Sequence, residues 1–535
     1  MHLCLRTLPG AVGLRQWRFR LSVAVFIAAG LTTLGHAQNR AQFETWKEQL
    51  VERVPQVMCR DLRALTSYDF SIDAATLVPA QGGVPEFCRV QGQLLPEVRF
   101  EVSLPRAWNG RLYMFGNGGF AGESFTMPGR IQRRDNALKR GFAVAATNTG
   151  HDNAREPDAS FAVHSQKLID FAYRAVHVTA ITAKTIVHTY YDEPPTRSYF
   201  DGCSTGGRQG LIAAQRFPDD FDGIVVGAPA LNVSGTAMYR AKINQALAAA
   251  PLSPTKVKWI ADKVYAKCDP LDGLVDGLIG DPRRCPFDPA SDLPMCARYV
   301  HNPACLTAGE LKTLQAIYSG IVANGITIFP GLSVGAEVLA PTSSGPRSGW
   351  DPEIIREGQP SVSIQRVEGF FKDMVTPGKP IDWRTFDPDR DREKLTTIGT
   401  LLNATEPDLS RFRARGGKII MYVGWADPVL NPLMGVGYYE QVRETMGPDS
   451  DNFFQLFMMP GVFHCAGGVG PDLADTITPL VDWVERESAP ERIIATRKVE
   501  EQVVRTRPLC PYPQVAQYKG TGSIDDAANF ACANP

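Results

Sequence analysis

A chain of 535 residues with 44% hydrophobic and 21% charged side chains has the composition of a folded globular protein, long enough for a large core and two structural units. Its formal net charge of −1 and the lack of a basic block exclude a polyanion binder, so nucleic acid is not an expected partner.

The N-terminus differs from the rest. Arg6, Arg15, Arg18 and Arg20 precede an apolar run from Leu21 to Leu34, and Gly35-His36-Ala37 then offers small residues where a signal peptidase reads. This is the three-part pattern of a secretory signal peptide, residues 1–37, with export to the periplasm or beyond. The apolar run falls short of the roughly 20 residues needed to span a bilayer, and no later stretch is long and apolar enough, so no membrane association is expected after cleavage. Of the 11 cysteines, Cys4 lies in this leader. The even remainder, in an exported chain, suggests disulfides. Neighbours in sequence pair naturally as Cys59–Cys88, Cys268–Cys285, Cys296–Cys305 and Cys510–Cys532, although spacing alone does not fix connectivity. Cys203 and Cys465 are left over.

From residue 95 the chain alternates strand and helix. Arg99–Leu104 and Arg111–Phe115 read as short strands, followed by the tight loop Gly116-Asn117-Gly118-Gly119. Phe142–Thr147 and Phe221–Val226 are continuous apolar runs of the kind a buried parallel strand needs. Lys167–Tyr191 lacks Pro and Gly and spaces its apolar residues as a helix does. Ser198–Phe200 is a short strand, and Leu211–Arg216 continues a helix. Such alternation predicts a parallel α/β sheet. The rhythm breaks from 230 to 410, a stretch rich in Pro, Gly, Asp and Cys, and resumes at Lys418–Val423 and Phe453–Met459. The predicted organisation is an α/β core in two parts, 38–229 and 411–535, interrupted by an inserted lid domain, 230–410, placed where it can cap a site at the carboxyl ends of the strands.

Gly202-Cys203-Ser204-Thr205-Gly206 fits G-x-S-x-G, the nucleophile elbow of the α/β-hydrolase fold. A serine hydroxyl is a poor nucleophile unless a sharp turn exposes it beside a base. The strand before Ser204 and the helix after it supply that turn, with glycines where side chains would clash. In this fold the triad runs Ser, then Asp or Glu, then His. His301 and His464 are the histidines after Ser204. His464 follows the strand Phe453–Met459 by a short loop, whereas His301 falls in the irregular insertion. The acid is expected after Lys418–Val423, at Asp427, where it would fix the imidazole tautomer and stabilise the imidazolium. The backbone N–H groups of Thr205 and Gly119 are the expected oxyanion hole. If Ser204 and His464 meet, Cys203 and Cys465 also lie close enough to bond, which would tie the elbow to the histidine loop.

Cys268-Asp269-Pro270-Leu271-Asp272-Gly273-Leu274-Val275-Asp276-Gly277-Leu278 sets three aspartates close together. Such carboxylates repel unless a cation neutralises them, and Ca²⁺ prefers oxygen donors. Asp269, Asp272 and Asp276 side chains with the Leu274 and Leu278 carbonyls form a candidate structural Ca²⁺ site; a solvated acidic turn is the alternative.

Together, Gly202 through Gly210, Arg216-Phe217-Pro218 with Phe221-Asp222-Gly223-Ile224-Val225, Cys268-Asp269 through Asp276-Gly277, Gly424-Trp425-Ala426-Asp427 and His464-Cys465 resemble the tannase and feruloyl esterase family, which includes bacterial mono(2-hydroxyethyl) terephthalate hydrolases. The resemblance implies an α/β-hydrolase core, a lid with structural Ca²⁺, a disulfide joining the serine and histidine segments, and a triad at Ser204, Asp427 and His464. It implies small-molecule esters of aromatic acids (hydroxycinnamic, gallic or related) as substrates, split through an acyl-enzyme. It also implies that an aromatic residue would stand at Leu430 in a terephthalate-monoester hydrolase, which makes that specificity the secondary expectation. Phe370, Phe371, Lys372 and Arg366 are lid candidates for contacting a ring or carboxylate, with ordinary packing the default for each. An intact Ser, Asp and His set argues against an inactive binding protein of the same fold. Oligomeric state leaves no mark in the sequence.

Overall fold

The computed structural model describes residues 43, 45, 46 and 53–535, apart from 299, 301, 324, 343, 344 and 377. The leader, residues 1–37, and His301 lie outside the described residues.

Nine strands form one sheet: β1 (Phe70–Val78), β2 (Phe87–Leu94), β3 (Val98–Pro105), β4 (Arg111–Phe115), β5 (Ala143–Thr147), β6 (Arg197–Cys203), β7 (Gly223–Gly227), β8 (Lys418–Gly424) and β9 (Phe454–Met459). Their spatial order is β1-β2-β3-β5-β4-β6-β7-β8-β9. The first three strands and β5 pair antiparallel; from β5 through β9 every pairing is parallel. Strands β5 and β7 are buried at every position because helices cover both faces of the sheet. Hence these strands read as unbroken apolar runs, whereas β1, with its exposed positions and a register shift, did not stand out as a strand.

Helix α1 (Pro128–Leu138) links β4 to β5, and α2 (Ala175–Tyr191) links β5 to β6. The expected single helix from Lys167 starts at Ser165 and passes through a π turn, Asp170–Arg174, before α2. Helix α3 (Thr205–Arg216) leaves β6 directly. Between β7 and β8 no strand among the described residues joins the large sheet. This stretch contains α4 (Val233–Ala249), α5 (Pro254–Cys268), α6 (Ala308–Ser319), α7 (Val362–Gly369) and two-stranded ribbons. Its apolar residues Val367, Phe370, Phe371 and Trp383 pack with Phe161 and Phe171 from the segment between β5 and β6. Helix α8 (Pro432–Met446) then separates β8 from β9.

The five disulfides join Cys59–Cys88, Cys203–Cys465, Cys268–Cys285, Cys296–Cys305 and Cys510–Cys532, the pairs expected. No helix among the described residues is long and apolar enough to cross a membrane.

Candidate active site

Ser204 stands between β6 and α3 with φ 63° and ψ −121°, a backbone that a non-glycine residue holds only under constraint. The constraint is visible. Ser204 N–H donates to Gly227 O at 3.0 Å, and its own carbonyl accepts from Ala230 N–H (3.0 Å) and Arg208 N–H (3.1 Å). The turn is so tight that a Cβ on Gly202 would lie 2.4 Å from the backbone of Gly206. This is the physical reason for glycine at 202; at 206 a Cβ would crowd the backbone of Asn117 at 3.2 Å.

Asp427 and His464, the candidate acid and base, follow the ends of β8 and β9. Trp425 N–H donates to Met459 O (2.9 Å) and Ala426 N–H to Val462 O (3.1 Å), strapping the acid loop to the histidine loop. Asp427 is 1% exposed. One carboxylate oxygen accepts from the N–H groups of Val429 (2.8 Å) and Leu430 (2.9 Å), and the other lies 2.8 Å from Nδ1 of His464. Fixed on both oxygens, the carboxylate orients the ring and directs a proton to Nδ1, which leaves Nε2 as the basic nitrogen. The Cys203–Cys465 disulfide, with Cα atoms 6.1 Å apart, joins the residue before Ser204 to the residue after His464.

Opposite the elbow lies the loop after β4. The Thr205 hydroxyl donates to Gly119 O. Asn117 N–H donates to the side-chain oxygen of Gln209 on α3 at 3.0 Å. Thr205 is the first residue of α3, so its N–H belongs to the helix terminus that favours negative charge.

Ser204, Thr205 and Gly119 border a cleft. Phe120, Phe171, Phe370 and Leu430 supply apolar walls, and Arg208, Arg240 and Arg366 also line it; the Arg240 guanidinium donates to Val429 O at 3.1 Å. Arg208 is 1% exposed and donates to the carbonyls of Phe171, Ala172 and Leu402, two of them in the π turn. Burial, with the Arg240–Arg366 repulsion second, pulls the Arg240 guanidinium down to about 9. Arg366 lies 4.0 Å from Glu353.

Among the lid candidates, Arg366 and Phe370 face the cleft. Phe371 is fully buried against Phe386, and Lys372 is exposed beside Asp373. Consecutive residues of one helical segment point to different sides, so these two do not share the face of Phe370. Phe120, Phe171, Arg208 and Arg240 were not anticipated. Only Phe120, next to the glycine loop, carried a local signal.

The acidic loop is arranged differently from the expectation of three converging carboxylates. Asp269 accepts from the N–H groups of Asp276 (3.3 Å) and Gly277 (3.0 Å), and Asp272 from Leu274 N–H (3.1 Å). Asp276 accepts from Leu278 N–H (3.1 Å) and is held by the buried Arg507 guanidinium at 2.6 Å. Among the described residues, no three His, Cys, Asp or Glu side chains gather as a metal cluster. Burial first, and the Asp276 charge as well, raise the carboxyl groups of Asp269 and Asp272. Hard oxygen donors under mutual repulsion fit Ca²⁺ chemically, although Arg507 already answers the Asp276 charge.

A serine on a tight elbow after β6, an Asp–His pair after β8 and β9 and a mostly parallel sheet are the architecture of the α/β-hydrolase class. A profile of the tannase and feruloyl esterase family matches residues 82–533, and the chain belongs to that family. It is 36% identical to an uncharacterized esterase of Xanthomonas campestris, over 89% of this chain and 91% of the other. It is 34% identical to a mono(2-hydroxyethyl) terephthalate hydrolase of Piscinibacter sakaiensis, over 86% and 87% of the two chains. The crystal structure of feruloyl esterase B from Aspergillus oryzae superposes with a TM-score of 0.79 at 27% identity, covering 89% of this chain and 99% of that one. The protein is therefore a carboxylic-ester hydrolase of the feruloyl esterase and tannase type.

Proposed function

We propose that this protein is an exported esterase that splits esters of aromatic acids through an acyl-Ser204 intermediate. The observation that carries the reading is the Asp427–His464 pair, 2.8 Å apart and linked by a disulfide to the elbow that presents Ser204. His464 Nε2 takes the Ser204 proton as Oγ attacks the ester carbonyl carbon. The carbonyl oxygen, now anionic, is met by the N–H groups of Thr205 and Gly119. Collapse breaks the bond to the alkoxy oxygen, which leaves with the proton from His464. Water, deprotonated by the same imidazole, then attacks the acyl group, releasing the acid and restoring Ser204. The phenylalanine walls suit an aromatic acyl group. With methyl ferulate, Ser204→Ala should abolish turnover; equal rates would overturn the reading.

A second substrate reading rests on Arg240 and Arg366. Two guanidiniums at one apolar cleft favour an acid that keeps a free carboxylate, as a terephthalate monoester does. Comparing kcat/KM for methyl ferulate, methyl gallate and mono(2-hydroxyethyl) terephthalate separates the two.

We also infer export, supported by the N-terminal pattern and five disulfides. The acidic loop is proposed to hold structural Ca²⁺ with Asp269, Asp272, Asp276 and the Leu274 and Leu278 carbonyls, supported by its donor chemistry. Bound metal in protein purified without added calcium, and a Tm lowered by chelator, are the expected results. Metal-free protein with an unchanged Tm would contradict the assignment.

A further inference from the structure

Three successive carbonyls in the loop after β4 each face a donor. Gly118 O accepts from Ala121 N–H at 2.8 Å, Gly119 O accepts from the Thr205 hydroxyl, and Phe120 O lies 3.0 Å from Nε2 of His151. A trans peptide is planar, with N–H and C=O pointing in opposite directions. Holding one carbonyl therefore aims the N–H of the following residue. The Phe120 carbonyl sets the Ala121 N–H, which closes the turn on the Gly118 carbonyl, and that carbonyl sets the Gly119 N–H.

We propose that His151 is a positioning residue for the oxyanion hole: its Nε2–H holds the Phe120 carbonyl and, through the Ala121 N–H and Gly118 carbonyl, aims the Gly119 N–H toward Ser204. The inference rests on Ser204 as nucleophile and Gly119 as oxyanion donor.

The ring is built to hold one orientation. It is 2% exposed and stacks on Phe161 with centroids 3.8 Å apart and planes 13° apart. It also packs against Gly122, where an added Cβ would lie 2.6 Å from the ring. A carbonyl faces Nε2, so that nitrogen carries the proton. Burial pushes the imidazole down to about 4, which keeps it neutral in ordinary buffers. Ala121 has φ 53°, a left-handed backbone that alanine adopts only where its surroundings impose it. His151 does not border the Ser204 cleft, so its action is on geometry and not on substrate contact.

The test compares His151→Leu and His151→Gln in the mature, disulfide-bonded protein, using methyl ferulate and phenylboronic acid as a tetrahedral mimic. The Leu variant should lower kcat about 10- to 100-fold, move KM by no more than about twofold and weaken boronate inhibition by the same factor as kcat. Glutamine can present an N–H to the same carbonyl, and its kcat should return to within about fivefold of the wild type. Wild-type kcat in the Leu variant would overturn the proposal. So would equal losses in the Leu and Gln variants with unchanged boronate affinity. Should the Leu variant not fold, His151→Met takes its place under the same criteria. Ser204→Ala run alongside keeps the failures apart, because an active Ser204→Ala protein removes the underlying assignment, whereas an inactive one beside a fully active His151→Leu rejects only this inference.

Discussion

The core around the sheet and the segment inserted between β7 and β8 both border the catalytic cleft, but they position their side chains by different physics. In the core, Ser204, Asp427 and His464 sit at the carboxyl ends of β6, β8 and β9, and local backbone bonds aim them: Ser204 to Gly227, Trp425 to Met459, Ala426 to Val462. In the insertion, Arg366 and Phe370 reach the cleft because Val367, Phe370, Phe371 and Trp383 pack onto Phe161 and Phe171, far away in sequence. We propose that the part fixed by strand ends carries the chemistry, and that the insertion, with Phe120, Phe171 and Leu430 of the core, shapes substrate choice. Changes in the core should fall on kcat, and changes in the insertion on KM and on discrimination between acids.

The largest expected effect is in the core. Ser204→Ala should lower kcat by about 10⁴-fold or more, and Asp427→Asn by about 10⁴-fold, with both proteins folded by circular dichroism. A KM change without a kcat change would break the division. Next come the disulfides. Cys203–Cys465 closes a separation of 262 residues and Cys296–Cys305 one of 9. Double Cys→Ser variants should differ accordingly. Losing the first bond should cost about 2–5 kcal/mol of stability by denaturant melts and at least about tenfold in kcat; losing the second should leave kcat within about twofold. Equal effects would show that the elbow does not depend on its covalent tie. In the insertion, Arg366→Leu should raise KM for mono(2-hydroxyethyl) terephthalate about tenfold while leaving methyl ferulate within about twofold.

A further effect concerns pH. With its imidazole held down to about 4 against an ordinary 6.5, the native protein binds fewer protons at His151 than the unfolded chain does between those values. Stability therefore falls as pH drops through that window and levels off below it, by at most about 3 kcal/mol. The charges of Glu156 and Lys167 act on the ring in opposite directions. Wild type should lose more Tm than His151→Gln between pH 6.5 and 4; parallel slopes would contradict the account.

The same division explains what the sequence revealed. The elbow was legible because G-x-S-x-G is a local steric requirement, and His464 and Asp427 because apolar runs announced the strands they follow. The pairing of Cys203 with Cys465 came with the triad, since both flank its members. Arg240 was not legible: an arginine in a helix gives no hint that it lines an apolar cleft and bonds the Val429 carbonyl 189 positions on. His151 was equally silent, because its partner is the backbone of Phe120 across another loop. The Arg507 contact with Asp276 crosses 231 positions and altered the expected acidic loop for the same reason. Lys372, for which no substrate contact was the default, is exposed beside Asp373.

Ser204, activated through His464 and Asp427, is proposed as the group acylated in turnover. Titration of the wild-type protein with a fluorophosphonate, followed by peptide mass mapping, tests it directly. The account predicts one phosphonyl group per active molecule, on the peptide containing Ser204, with activity lost in proportion and no labelling of His464→Ala on the same timescale. Labelling at another residue, or full activity with Ser204 modified, would contradict it.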